Sequence, residues 1–250
     1  MIELNKIHCC DCLEGLKLLD DQSVDLVVTS PPYNMRTRIR NNEYTYREKS
    51  EHFSKKYKFF SDDLTIDEYY NFHKQVLTEL LRVSKIICYN YQIVTGSKEA
   101  FFKLLGDFSP YIKDVMIWEK TGQPAMHSQV LNSCYEFVVI FESNGNKGRV
   151  IDNSYFPRGT QDNIIKGFKK NNNVTGHGAC FPTGFVKKLI TLFSKEGDLI
   201  LDPFMGSGTT AVAAKMTNRN FIGFELIEEY VKDANERINK ETEEINNTLW

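Results

Sequence analysis

The chain has 250 residues, 41% of them hydrophobic, and a formal net charge of −2. That length buries one substantial α/β core without requiring a second domain. The absence of an apolar run of membrane-spanning length, and of a cationic start followed by an apolar segment, excludes a spanning or secreted class and points to a soluble, cytoplasmic protein. Near-neutral charge announces no nucleic-acid binder, so any such role must rest on local charge.

Six cysteines and five histidines are spread along the sequence. Cys9-x-x-Cys12 has metal-ligand spacing, but no second Cys or His pair completes a set, so no metal is expected and the thiols read as reduced and mostly buried. His8, His52, His73, His127 and His177 read as polar surface or capping residues.

The strand-like run Val24 to Val28 ends in Thr29-Ser30-Pro31-Pro32-Tyr33-Asn34. Two prolines cannot continue a sheet, so the chain must leave the strand end as a stiff turn. This turn suits a flat ring bearing an exocyclic amine. Ser30 Oγ and the Pro31 carbonyl supply acceptors, and Tyr33 supplies a stacking face.

Between Arg36 and Lys58 eight basic residues, among them Arg36, Arg38, Lys55, Lys56 and Lys58, stand against three glutamates. Aromatic residues interleave with them and no period of 3.6 or 2 is sustained, so residues 35–60 read as a mobile basic loop placed to hold phosphates. Thr65-Ile-Asp-Glu68 is a capping box opening a helix to about Ser84, and Lys85 to Tyr89 reads as the next strand. Residues 143–176 are polar and glycine-rich, with Arg158, Lys169 and Lys170 and the run Asn171 to Asn173, a chemistry suited to base edges and phosphates.

Thr183 is expected to cap a helix from Gly184 to Phe193, with Gly197 ending the connection. Leu199-Ile-Leu-Asp202-Pro203-Phe204-Met-Gly206-Ser-Gly208-Thr209-Thr-Ala211 then gives a short strand, a glycine turn and a helix from Thr209 to Met216. A second strand, Phe221 to Phe224, ends in Glu225. This is a βαβ nucleoside-binding unit whose closing acid can take both ribose hydroxyls. Gly206-x-Gly208-x-x-Ala211 alone also fits a nicotinamide dinucleotide, which keeps an NAD-dependent oxidoreductase open as a remote alternative. A non-enzymatic DNA-binding module with a degenerate cofactor site is a further one. A helix marked by Tyr230, Val231, Ala234 and Ile238 closes the chain. Alternating strands and helices predict a doubly wound, mostly parallel Rossmann-like α/β sheet. Because the nucleoside-binding unit comes late, the other strands must come from the amino-terminal half, a circularly permuted order.

With both motifs in place, the chain resembles the DNA amino-methyltransferases, which methylate N4 of cytosine or N6 of adenine using S-adenosyl-L-methionine. It is most similar to the permuted beta subgroup of restriction-modification type, in which the catalytic turn precedes the cofactor motif. The resemblance extends to Ile7-His-Cys-Cys-Asp11, to Val115 to Lys120 and to Tyr135 to Phe141 as family strands, and to His177-Gly-Ala-Cys-Phe181-Pro182 beside the methionine end of the cofactor, where Gly178 replaces the usual proline.

The resemblance implies catalysis by Ser30, Pro31, Pro32 and Tyr33, and cofactor binding by Asp11, Phe181, Pro182, Asp202, Pro203, Phe204, Gly206, Gly208, Thr209 and Glu225. It implies one catalytic domain over residues 1–250, with 143–176 as the target-recognition region. It also implies a double-stranded DNA substrate, a separately acting cognate restriction endonuclease as partner, and a monomer or homodimer. Ser at the first position of the turn favours cytosine N4, with adenine N6 as the alternative. No Pro-Cys dipeptide is present to supply the nucleophile that carbon-5 methylation requires.

Overall fold

The computed structural model describes residues 2–35, 37–40, 43–46, 63–123, 128–145, 147–168 and 181–248. Its strands are β1 (Lys6–Cys9), β2 (Val24–Thr29), β3 (Thr37–Arg40), β4 (Glu43–Tyr46), β5 (Ser84–Tyr91), β6 (Ile112–Gln123), β7 (Ser133–Glu142), β8 (Ile164–Ile165), β9 (Leu199–Asp202) and β10 (Asn220–Glu225). Its α-helices are α1 (Cys12–Lys17), α2 (Ile66–Val83), α3 (Lys98–Asp107), α4 (Thr183–Phe193), α5 (Thr209–Met216) and α6 (Glu228–Thr248).

Eight strands form one sheet in the order β1-β10-β9-β2-β5-β7-β6-β8. Of these, β7 alone runs against its neighbours; β1, β10, β9, β2 and β5 pair in parallel. The central strands are apolar on both sides because both faces are covered. Leu26 and Val28 of β2, Ile86 and Cys88 of β5, and Ile200 of β9 pack toward α4, α5 and α6. Val27, Ile87, Tyr89 and Leu201 pack the other way, toward α1, α2 and α3. This is the expected mostly parallel, doubly wound sheet.

Local signals set several boundaries. Thr65 caps α2 through the complete capping box, with Glu68 answering the Thr65 backbone N–H. Helix α4 begins one residue earlier than its sequence suggests. Pro182 holds the capping position, and Thr183 is inside the helix, where its hydroxyl accepts from Arg237 at 3.2 Å. Proline fits there because its fixed φ starts a helix and the missing N–H would find no intrahelical partner.

The stretch that reads as an irregular basic loop contains an antiparallel ladder. Thr37 to Arg40 pair with Glu43 to Tyr46 in a separate two-stranded sheet. Just ahead of residues 143–176, a buried contact of 3.4 Å between Lys113 and Glu142 ties β6 to β7. Glu142 Oε1 also accepts the backbone N–H groups of Asp152 and Asn153 at 2.9 and 3.3 Å, pinning the following segment to the sheet. Arg158 is exposed beyond this anchor. Arg36, Lys55, Lys56, Lys58, Lys169, Lys170, His177 and the run Asn171 to Asn173 lie outside the described residues, and Arg38 is described only as part of β3.

Among the described residues the thiols are not mostly buried: Cys12 and Cys88 are buried, Cys10 is half-buried, and Cys9 and Cys134 are exposed. His73 is no surface residue either; it lies 1% exposed among Tyr69, Phe72, Tyr89 and Tyr91. Burial pushes its imidazole down to about 3, so it is neutral at any working pH. No helix among the described residues is long and apolar enough to cross a membrane.

Candidate active site

The carboxyl ends of parallel strands converge on a cleft of about 220 Å³, lined by Ser30, Pro31, Pro32 and Tyr33 on one side and by the loops after β1, β9 and β10 on the other. Open α/β sheets place their ligands at this edge, where side chains and helix starts are free of the ladder.

The turn after β2 is held from behind. Asn34 adopts a left-handed φ of 57°, a conformation Asn tolerates, and its side-chain amide donates to the carbonyls of Leu64 and Gly96, each at 2.8 Å. Tyr69 donates its hydroxyl to the Pro32 carbonyl at 2.7 Å. A Cβ on Gly96 would sit 2.3 Å from the Asn34 carbonyl oxygen, a backbone atom that can yield only by moving the turn. We therefore expect Gly96→Ala to displace the turn and lower stability in urea unfolding while leaving the distant half of the cleft intact. An unchanged unfolding midpoint in that variant would show that the turn tolerates the added methyl.

Tyr33 is nearly buried, with 8% exposure, and its ring faces Tyr91 at 5.9 Å. Its hydroxyl lies 2.7 Å from Ser30 Oγ, accepts from Asn90 Nδ2 at 2.5 Å and donates to Glu136 Oε2 at 3.4 Å. Asn90 also donates to Glu136 Oε2 at 2.5 Å, and Lys120 pairs with Glu136 Oε1 at 2.5 Å. A buried polar chain therefore leads from the turn across β5 and β7 to β6. No sequence motif marks Asn90, and Glu136 and Lys120 fall only within the expected strands Tyr135 to Phe141 and Val115 to Lys120.

On the opposite side Asp202 is a three-way staple. It accepts Thr29 Oγ1 at 2.7 Å, the Phe204 N–H at 3.0 Å and Thr210 Oγ1 at 2.7 Å, joining β9 to β2 and α5. Burial still pushes its carboxyl up to about 6, outweighing those three hydrogen bonds. Glu225 accepts the Gly206 N–H at 2.9 Å through Oε2 and the Ile227 N–H at 3.0 Å through Oε1, and burial likewise raises its pKa. The Leu226 N–H is a third backbone donor to this carboxylate, which keeps acceptor capacity beyond the three for a ligand hydroxyl.

The glycine turn curls between these acids. Gly208, at φ +78°, caps α5, and a Cβ there would meet Ala234 at 3.0 Å, so only glycine lets α5 and α6 approach this closely. Of the ten cofactor residues expected from sequence, Asp11, Phe181, Asp202, Pro203, Phe204, Gly206, Thr209 and Glu225 line the cleft; Pro182 and Gly208 are not among the lining residues. Asp11 also caps α1, accepting the Leu13 and Glu14 N–H groups. The cleft adds Phe72, Leu226 and Ile227, which no motif marked, together with Met205 of the glycine turn and Tyr230 of the closing helix.

A family model described as DNA methylase, covering N6 and N4 methyltransferases, matches residues 24–236. The chain belongs to this DNA methylase family. The match removes the nicotinamide reading of Gly206 to Ala211 and accounts for both motifs together. The methylase is 28% identical over 254 residues to the type II methyltransferase M.HpaI of Haemophilus parainfluenzae, covering 94% of this chain and 74% of that protein. It is 27% identical to M1.MboII of Moraxella bovis, covering 96% and 98%.

Among solved structures it is similar to the PvuII cytosine-N4-specific DNA methyltransferase, with a TM-score of 0.67, 18% identity, and 96% and 92% of the two chains covered. It is also similar to a DNA modification methylase of Thermus thermophilus complexed with S-adenosyl-L-methionine, with a TM-score of 0.64, 22% identity, and 94% and 93% covered. At these identities the likeness establishes a shared fold.

Proposed function

We propose that the methylase transfers a methyl group from S-adenosyl-L-methionine to N4 of a cytosine extruded from duplex DNA. The observation that carries this reading is the juxtaposition, in one cleft, of the Ser30 to Tyr33 turn with the Gly206 and Glu225 loops. The cleft fits the cofactor: Glu225 retains acceptor capacity for a ribose hydroxyl, the carboxylate of Asp202 favours a cationic methionine end, and the backbone at Gly206 has no side chain in the way. The cofactor supplies an activated methyl on a sulfonium, so the protein's work is position and electrostatics.

An exocyclic amine is a poor nucleophile because its lone pair is delocalised into the ring. Ser30 Oγ and the Pro31 carbonyl, accepting its two N–H groups, favour a pyramidal nitrogen and stabilise the positive charge that develops on attack. The Pro32 carbonyl accepts from Tyr69 on the turn's far side. Extrusion of the base costs a few kcal/mol. A contact with the Tyr33 ring, comparable stacks contributing about 1–3 kcal/mol, offsets much of it.

Residues 143–176 are assigned to target recognition, and Arg36, Arg38, Lys55, Lys56, Lys58, Arg158, Lys169 and Lys170 to phosphate contact. Their basic and amide side chains, and the placement of residues 35–60 directly after the turn, support this division. We further propose a single catalytic domain, acting in the cytoplasm as a monomer or homodimer beside a separate cognate restriction endonuclease.

Glu225→Ala is expected to weaken S-adenosyl-L-methionine binding at least tenfold, since hydrogen bonds to a charged group contribute about 1.5–3 kcal/mol. Unchanged calorimetric affinity in the folded variant would remove the ribose assignment. Mass spectrometry of digested, methylated DNA tests the target base. N4-methylcytosine is the expected product, and N6-methyladenine without it would replace cytosine by adenine.

A further inference from the structure

Transfer to an amine leaves one proton too many on the product nitrogen, and the buried chain behind the turn has the polarity to remove it. Asn90 Nδ2 places one hydrogen on the Tyr33 oxygen and its other on Glu136 Oε2, each at 2.5 Å. With one Tyr33 lone pair taken by Asn90 and the phenolic proton directed to Glu136 at 3.4 Å, the 2.7 Å contact with Ser30 is satisfied by the serine donating to Tyr33. Ser30 Oγ then faces the cleft as an acceptor. Glu136 is 8% exposed, and Lys120 on β6 stands against its other oxygen. Among the described residues, its facing groups are thus the charged Lys120, the neutral Asn90 of β5 and the neutral Tyr33 of the turn.

We propose that Glu136 is the terminal acceptor of the proton displaced by methylation, acting through Tyr33 and Ser30. This rests on the methyl-transfer reading above. The amine nitrogen forms its bond to the methyl carbon as the carbon–sulfur bond breaks, its electron pair returning to sulfur. The N–H electron pair then returns to nitrogen and that proton passes to Ser30 Oγ. Ser30 gives its own proton to Tyr33, and Tyr33 gives its own to Glu136. The balance is a neutral methylated base, a neutral thioether and a neutral carboxylic acid at Glu136, which reverts by loss of the proton to solvent. Asn90 and Lys120 are positioning residues, the first fixing the direction of the Tyr33 hydroxyl and the second holding the carboxylate in place through its other oxygen.

Single-turnover transfer from labelled S-adenosyl-L-methionine to unmethylated mixed-sequence duplex DNA tests the relay. Glu136→Gln and Tyr33→Phe, which keep the shape of the site, should each transfer about a hundredfold more slowly, within the range general acid–base groups contribute, with cofactor affinity within threefold of wild type. In Glu136→Ala, added formate should restore at least a tenfold share of the rate, while neutral formamide, which fills the same space and accepts the same hydrogen bond from Asn90, should not. Equal rescue by both, or a Glu136→Gln rate within threefold of wild type, would overturn the relay while leaving methyl transfer standing. A wild-type protein that transfers no label would overturn the methylase reading and the relay together.

Discussion

Ser30→Ala should lower the rate of methyl transfer by two to three orders of magnitude while S-adenosyl-L-methionine affinity stays within a few-fold. The hydroxyl acts on charge that develops only on attack, and removing one such preorganised partner typically costs a hundredfold to a thousandfold in rate. It stands at the edge of the cleft opposite Glu225 and Gly206, so the cofactor half keeps its own hydrogen bonds. The main chain of the turn should also survive the change, because Asn34 and Tyr69 anchor it independently of Ser30. Parallel loss of cofactor binding would instead identify Ser30 as a structural support for the whole strand end.

Asp202→Ala should do the opposite, failing in stability and in cofactor binding together. It strips the acceptor from Thr29, Thr210 and the Phe204 N–H in a site where Asp202 is 4% exposed. Each buried donor left unpaired costs about 1–3 kcal/mol, and since the threonine hydroxyls can turn elsewhere we expect a net loss of about 3 kcal/mol in urea unfolding. A loss below about 1 kcal/mol, the low end of that range, would mean that the staple is dispensable.

The same residue sets a pH dependence. Its carboxyl titrates near 6 in the folded chain against 3.8 ordinarily, so the folded state holds this proton more tightly than the unfolded one. The proton-linked part of the stability from Asp202 is therefore fully present below about 3.8, declines as pH rises toward 6, and is lost above that, while its three hydrogen bonds remain. Asp202→Asn, which cannot titrate, should lack this part of the slope; an unchanged slope would place the titration elsewhere.

The cofactor half was legible because its signals are local. Strand, acid, glycine turn, helix, strand and second acid follow one another from Leu199 to Glu225, and each demands its residue type for a reason visible over a few positions. The proline turn was legible for the same reason. Asn90, Glu136 and Lys120 gave no such signal. They lie on three different strands, and only the antiparallel register of β7 between β5 and β6, pairing Asn90 with Val138 and Trp118 with Glu136, brings them together.

His73 escapes a helical stripe read from apolar residues alone, yet its imidazole lies on the buried face of α2 between aromatic rings. The β3–β4 ladder was hidden by charge. Its strands carry arginines and a glutamate among their aromatic and β-branched residues, and a small separate hairpin needs no alternating apolar pattern to join the main core.

The most direct test of the account is transfer of tritiated methyl from S-adenosyl-L-methionine to unmethylated duplex DNA, with wild type and Ser30→Ala assayed side by side after both have been shown to bind the cofactor. Label that enters DNA with wild type, resides on an exocyclic amine after nucleoside digestion, and falls at least a hundredfold with Ser30→Ala is the predicted result. Cofactor binding without any incorporation into DNA, or incorporation that Ser30→Ala leaves undiminished, would contradict it.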